Sequence, residues 1–321
     1  MKILRIALAL LVTLAMLYIA RNNSRGRPEH IVHTDGEFTF TITTVPKITE
    51  HKTDRLALKV DGPPYFGYRV RYRSSQPGNI APERPADFAA IDMRSENPDG
   101  GEYFVDVTAG AKGGQAHYYF DIVDAEGVPL AQFMKDDGAP FRLRFIGEVP
   151  PFILVAHIAL MFVTVFCISL GAVLALRAGV NTAAARPVLV CLFWAAVAGF
   201  LGGYPFGFAM NHYAFSTIWE GIPFGTDATD NKTQLLLLSL LFAVLAGIGT
   251  LTRGKIGRDL FSPRVLARFG LIAFAVMLFI YIIPHSIQYS PAFIYLFCGA
   301  WTAGLVVIYL VAWQRSRRSA A

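Results

Sequence analysis

At Val149 the sequence changes from an alternating, charged pattern to long apolar runs. Beyond it, apolar stretches occupy about 152–176, 187–209, 234–252, 268–285 and 291–313. Each is close to the roughly 20 residues that carry a helix across a bilayer core. A sixth stretch, 3–20, stands behind Lys2 and Arg5. It has the basic and apolar regions of a secretory signal. Tyr18 sits where cleavage wants a small residue, so the expectation is an uncleaved anchor over 1–20. Only 16% of the residues are charged, against about 25% in soluble domains. That excludes an ordinary soluble enzyme and a disordered chain.

The segment 21–149 is different, with 16 Lys and Arg against 19 Asp and Glu. Short alternating runs recur at Glu37–Thr44, Arg55–Val60, Tyr68–Arg73, Phe88–Arg94, Glu102–Thr108, His117–Val123 and Phe141–Ile146. Strict alternation over four to eight residues is the period of a half-buried strand. Turn signals such as Asp61-Gly62-Pro63-Pro64 and Gly113-Gly114 separate the runs. The pattern predicts a linker over 21–34, then an all-β immunoglobulin- or fibronectin-III-like sandwich over 35–149. Its inward face would hold Phe38, Phe40, Leu56, Leu58, Tyr68, Val70, Tyr118, Phe120, Phe141, Leu143 and Phe145. Arg69, Arg71 and Arg73 alternate on one strand and read as a solvated face. Cys167, Cys191 and Cys298 all lie in apolar runs, so no disulfide framework serves the polar segment.

Charge predicts the orientation. With a cytoplasmic N-terminus, twelve basic residues face the cytoplasm: Lys2, Arg5, Arg177, Arg186, Arg253, Lys255, Arg258, Arg264, Arg268, Arg315, Arg317 and Arg318. Outside the 21–149 segment, only Lys232 falls on the other side. Positive charge near span ends is retained in the cytoplasm. The net charge of +6 is therefore a topology signal and argues against a nucleic-acid partner. The expected architecture is an α-helical integral membrane bundle over 150–314, with an N-terminal anchor, five core spans and a basic tail over 315–321. Both termini are cytoplasmic and the β-sandwich is extracytoplasmic. Membrane lipid is one expected partner.

This topology gathers the ionisable residues of the membrane region into one layer. His157, His212 and His285 all fall toward the outer face, as do Glu220, Asp227 and Asp230. Histidine is the commonest transition-metal ligand, and paired histidines can hold haem iron. An ionisable residue inside a bilayer is a functional candidate by default. The sites to test are thus haem or a transition metal on His157, His285 and His212, and a bare metal that recruits Asp227, Asp230 or Glu220. The bland reading of His157 is a hydrogen bond to a neighbouring helix. Gly199, Gly203 and Gly207 recur every four residues and read as a helix-packing ridge. Pro205 predicts a kink in the same helix. His30 and His33 form an H-x-x-H pair in the linker, a weak copper motif.

The loop Trp219–Thr233 is the most specific segment. Asp230 or Thr229 is suited to cap the following helix, and Pro223 and Gly225 to set a bend. Asp227, Thr229 and Asn231 match the first, third and fifth positions of a calcium loop, but Lys232 stands at its required glycine. An ion pair of Lys232 with Asp227 or Glu220 is the simpler expectation. On Trp219, Gly221, Pro223, Phe224, Gly225, Asp227, Thr229, Asp230, Asn231, Lys232 and Thr233, the chain resembles a family of uncharacterised bacterial membrane proteins. That family carries a W-x-G-x-P-F-G-x-D-x-T-D-N-K-T loop between core spans, after an extracytoplasmic β-sandwich. Thr226 stands where the family's loop has an aromatic residue. The resemblance implies architecture, a bacterial inner-membrane location and no reaction.

No nucleophile elbow, P-loop, dinucleotide fingerprint or C-x-x-C-H motif is present, so an enzyme has no positive support. The leading expectation is a cell-envelope binding or scaffold subunit that engages a protein partner or a second copy of itself. The rival is a metal- or haem-binding electron-transfer or metal-handling subunit.

Overall fold

The computed structural model describes residues 2–24, 29–62, 68–75, 88–97, 101–135, 137–176, 184–283 and 289–318. Two compact units emerge, each taken by itself below. One contains Met1–Arg25, Pro150–Asn211 and Ile218–Ala321. The other contains Gly26–Val149 together with His212–Thr217.

The second unit is built of β-strands. In chain order these are β1 (His30–Asp35), β2 (Phe38–Thr43), β3 (Lys47–Thr49), β4 (Thr53–Asp61), β5 (Arg69–Ser74), β6 (Ala89–Asp92), β7 (Arg94–Asn97), β8 (Glu102–Thr108), β9 (Gln115–Val123), β10 (Pro129–Phe133) and β11 (Phe141–Ile146). They form two sheets, ordered β1-β2-β4-β8-β7 and β3-β11-β9-β5-β6, with β10 also paired to β9. Pairing is antiparallel apart from β11 with β3. The stretch expected as a linker over 21–34 thus contains a paired strand, because His30–Asp35 finds its ladder partners in Phe38–Thr43.

Alternation decides which face is buried. Phe38, Phe40 and Ile42 on β2, Leu56, Leu58 and Val60 on β4, and Phe141, Leu143 and Phe145 on β11 are all buried. They join Val70, Tyr118 and Phe120 in one cluster shared by both sheets, with Tyr68 partly buried against it. His30 and His33 are an odd number of residues apart on β1, so their side chains leave opposite faces. His33 stacks on Phe133 at 5.3 Å, while exposed His30 lies 3.5 Å from the Thr43 hydroxyl. The two do not converge on a metal.

β9 is buried on both faces from Tyr118 to Val123. On its outer face, Phe88 packs against Tyr119 with ring centroids 5.4 Å apart. Beside it, Asp121 accepts two bonds from Arg71, each 3.0 Å, and one from Arg73 Nε at 2.7 Å. Arg69 lies 3.5 Å from Asp92. Within the stripe that read as a solvated face, Arg71 and Arg73 are therefore paired to one buried carboxylate of their own sheet, while Arg69 stays about half exposed. Further along the same face, burial and then the Arg142 and Lys135 charges hold His117 below its ordinary range.

The other unit is helical. It contains α1 (Lys2–Ser24), α2 (Pro151–Ala175), α3 (Ala185–Leu201), a π-helical segment (Gly202–Phe206), α4 (Gly207–Phe215), α5 (Ala228–Ala246), α6 (Ile248–Thr252), α7 (Pro263–Ile282) and α8 (Pro291–Arg318). The last residues of α4 count with the β unit. Among the described residues, five helices are long and apolar enough to cross a membrane: Lys2–Asn22, Pro151–Ala175, Ala185–Phe215, Pro263–Ile282 and Pro291–Arg318. The stretch 234–252, expected as one further span, is divided at Gly247 between α5 and α6. α5 also starts earlier than expected, and its first two turns are polar.

Small residues set the helix contacts. A Cβ on Gly270 of α7 would lie 2.5 Å from the Gly171 carbonyl of α2, so the two backbones meet there. Gly199 faces Thr164 on α2, and Gly203 faces Thr233 on α5. The nearest atom to a Cβ on Gly207 is the Gly202 carbonyl of its own helix. The expected ridge thus serves two different neighbours. Pro205 lies inside the π-helical segment. It has no N–H to donate, and the ladder adjusts around it.

Candidate functional site

Three of the four acidic residues of the helical unit, Glu220, Asp227 and Asp230, lie between Asn211 and Thr233. Asp227 is the N-cap of α5: its Oδ1 accepts from the N–H groups of Thr229 at 2.8 Å and Asp230 at 3.0 Å. The cap is therefore Asp227, and not Asp230 or Thr229 as the sequence suggested. The reason is one of register. The first helical residue is Ala228, so the carboxylate just before it reaches the free N–H groups of the first turn.

Asp230 is then released for another role. It is buried in the first turn of α5. Its Oδ2 accepts from Glu220 N at 2.7 Å, and the Asn211 amide reaches its two oxygens at 3.3 and 3.4 Å. Asn231 does parallel work one residue on. Its Oδ1 accepts from Ile222 N at 3.0 Å, and its Nδ2 donates to Asp227 O at 2.8 Å. Two successive side chains of α5 thus hold the Glu220–Ile222 backbone. Lys232, also buried, donates to the Ile283 carbonyl at 3.0 Å at the end of α7.

The loop's own chemistry completes the fold of this segment. The peptide Ile222-Pro223 is cis. Phe224 N and Gly225 N both donate to Gly221 O at 2.9 Å, and Asp227 N donates to Glu220 O at 2.8 Å. A Cβ on Gly221 would lie 2.6 Å from the Trp219 ring, and one on Gly225 would collide with the Glu220 carbonyl. Both positions therefore require glycine. Trp219 stacks on Tyr204 at 5.2 Å and meets Phe208 edge-on at 5.7 Å. Phe224 projects outward with 84% of its surface exposed.

Asp227, Thr229 and Asn231 do not form a calcium loop here. They lie in a helix cap and its first turn, where Asp227 Oδ1 and Asn231 Oδ1 accept backbone N–H groups. Among the described residues, no group of three or more His, Cys, Asp or Glu is arranged to hold a metal ion. His285 lies outside the described residues. His212 belongs to the β unit, exposed, with its ring 5.6 Å from that of Tyr213. His157 on α2 has Nδ1 2.9 Å from the Gly202 carbonyl. A carbonyl only accepts, so Nδ1 carries the proton and Nε2 keeps the lone pair. Gly202 opens the π-helical segment, which ties this histidine to the irregular turn around Pro205.

Sequence reasoning missed Asn211, Ile283 and Gln234. Asn211 and Ile283 act across long sequence separations, and Ile283 acts only through its backbone. Gln234 has a buried Oε1 without a hydrogen-bond partner among the described residues. No known protein family matches the chain, and no curated protein is significantly similar to it.

Proposed function

We propose that this chain is a multi-pass protein of the bacterial inner membrane that acts as a binding or scaffold subunit of the cell envelope. Its β unit is the recognition module, an immunoglobulin- or fibronectin-III-like sandwich outside the cytoplasm. Its place is in the family suggested by the Trp219–Thr233 loop. The observation that carries this reading is the engagement of the polar residues. Asp227, Asp230, Asn231 and Asp121 all hold backbone or arginine groups in place, which is the chemistry of a rigid platform. Fold alone assigns no reaction. Purification in mild detergent is expected to recover a stoichiometric partner or a homo-oligomer. A clean monomer with no crosslinked neighbour would overturn the reading.

The proposed topology has six crossings. α1 is retained as an anchor, consistent with Ala9, Thr13 and Met16 being buried on one side of it. α5 with α6 supplies the remaining crossing. Two features favour this: α5 packs against α3, α7 and α8, and the twelve basic residues then share the cytoplasmic side. The test uses single cysteines in a background lacking the three native ones. Val128→Cys and Ile256→Cys suit it, because Val128 is 57% and Ile256 64% exposed. In intact spheroplasts an impermeant maleimide should label position 128 and spare position 256. The opposite pattern sinks the topology.

One observation supports the rival reading. The bond from Nδ1 to a backbone carbonyl is how metal-ligating histidines are commonly oriented, and it leaves Nε2 of His157 available. If this histidine holds haem or a transition metal, protein from iron- and copper-replete cells carries an absorption band or bound metal that His157→Ala removes. A colourless, metal-free preparation ends the rival.

A further inference from the structure

The loop that joins α6 to α7, Arg253–Ser262, carries an unbalanced charge. Arg253, Lys255 and Arg258 in the loop, and Arg264 and Arg268 one turn apart on α7, are all exposed. Asp259 is the only acidic residue of the sequence after Asp230, and its carboxylate is committed inward. Oδ1 accepts from Thr250 N at 2.8 Å and Oδ2 from Thr250 Oγ1 at 2.5 Å. None of the five cations makes an ion pair among the described residues. The first turn of α7 holds no acid, and Ser262 before it makes no side-chain cap bond. The positive end of that helix therefore adds to the patch.

The loop is held in shape by its own bonds. Arg253 closes α6 in the left-handed conformation, with φ 57°, and Gly254 N donates to Gly249 O at 2.8 Å. Ile256 N donates to Thr252 Oγ1 at 3.2 Å. At the far end Leu260 N donates to Ala246 O at 2.8 Å, which ties the loop to α5. Leu260 and Phe261 then pack on the helical core. Between those anchors Ile256 is left 64% exposed, flanked in sequence by Lys255 and Arg258.

We infer that this loop and the first two turns of α7 bind the phosphate headgroup of an anionic phospholipid, with Ile256 set into the apolar layer beside it. Three observations select this occupant. Five exposed cations without a counter-charge call for an anion. The exposed isoleucine among them fits an amphiphile and not a dissolved polyanion. Arg264 and Arg268 stand at the start of a helix long and apolar enough to cross a membrane, at the level where headgroups lie. A basic cluster beside a spanning helix draws anionic lipid by about 1 kcal/mol per Lys or Arg. The inference names a lipid partner for the protein proposed above and rests on its membrane reading and topology.

The test uses the full-length protein in phosphatidylcholine nanodiscs that contain a diazirine-bearing phosphatidylglycerol, and crosslinked peptides are mapped by mass spectrometry. Saturable labelling is expected between Arg253 and Arg268, competed by plain phosphatidylglycerol and not by further phosphatidylcholine. Changing Lys255→Gln and Arg258→Gln, both at exposed positions, should weaken it roughly fivefold for each charge removed. Changing Arg315, Arg317 and Arg318 to Gln should leave labelling of the loop as it was. Equal losses from the two sets would mean attraction to the whole basic side without a site, and would overturn the inference. Label spread evenly over the helix ends, or full affinity in the Lys255→Gln, Arg258→Gln protein, would do the same. Dissolved glycerol phosphate should not compete; competition equal to that of the lipid would assign the patch to free phosphate and remove the lipid. Alkaline carbonate separates the two levels. Release of the protein from membranes would defeat the membrane reading itself. An embedded protein without saturable labelling would defeat only the lipid site.

Discussion

Asp121→Ala should unfold the β unit more readily than any surface substitution in it. The carboxylate is almost fully buried, and Arg71 and Arg73 are largely so, with side-chain exposures of 4%, 14% and 21%. Removing the shared acceptor leaves two guanidinium groups against a sheet face with no counter-charge. Breaking a buried pair in this way costs about 3–5 kcal/mol. Amide hydrogen exchange across Gln115–Val123 in the full-length protein would then speed by roughly two to three and a half powers of ten. Replacing all three residues together, Arg71→Met, Arg73→Met and Asp121→Leu, should recover most of the loss, because apolar groups of similar volume need no partner. If Asp121→Ala leaves exchange in β9 unchanged, the triad contributes nothing to stability and the face is merely solvated.

Asp230→Ala should release the Trp219–Asp227 loop from α5. It removes the acceptor for Glu220 N and for the Asn211 amide in a buried setting. Two unmet donors, both formerly bonded to the Asp230 carboxylate, cost about 2–6 kcal/mol together. The expected result is rapid exchange at the amides of Glu220, Ile222 and Asp227, with a changed environment for Trp219 as its stack on Tyr204 loosens. Asp230→Asn keeps one acceptor and should lose about half as much. Asp227→Ala removes only a helix cap and should cost less still, about 0.5–2 kcal/mol. Equal effects at the two aspartates would mean that Asp230 acts as a second cap and that its bond to Glu220 is incidental.

The two predictions concern residues of opposite legibility. Asp227 and Asp230 both stood out as a polar cluster before an apolar run. Their roles were exchanged because a cap is defined by the one residue at which the backbone enters the helix. That position is Asp227, because the helix begins at Ala228. The contribution of Asn211 was out of reach, since it comes from the previous helix, and no local pattern links it to Asp230. The arginine stripe was visible, yet its partner was not. Asp121 lies 50 residues from Arg71, and only the β5–β9 register sets them opposite each other.

Seven of the strands and five of the six long apolar helices were readable from the sequence alone, because each is encoded by a local period. Phe38, Phe40 and Ile42, or Phe141, Leu143 and Phe145, announce a buried face through alternation that needs no knowledge of the other sheet. The apolar helices declare themselves by length and by the lack of charge. The tertiary structure alone decided where the polar groups find their partners. Hydrogen bonds and ion pairs act over about 3 Å between residues far apart in sequence, so burial of Asp121, Asp230 and Lys232 depends on which elements become neighbours.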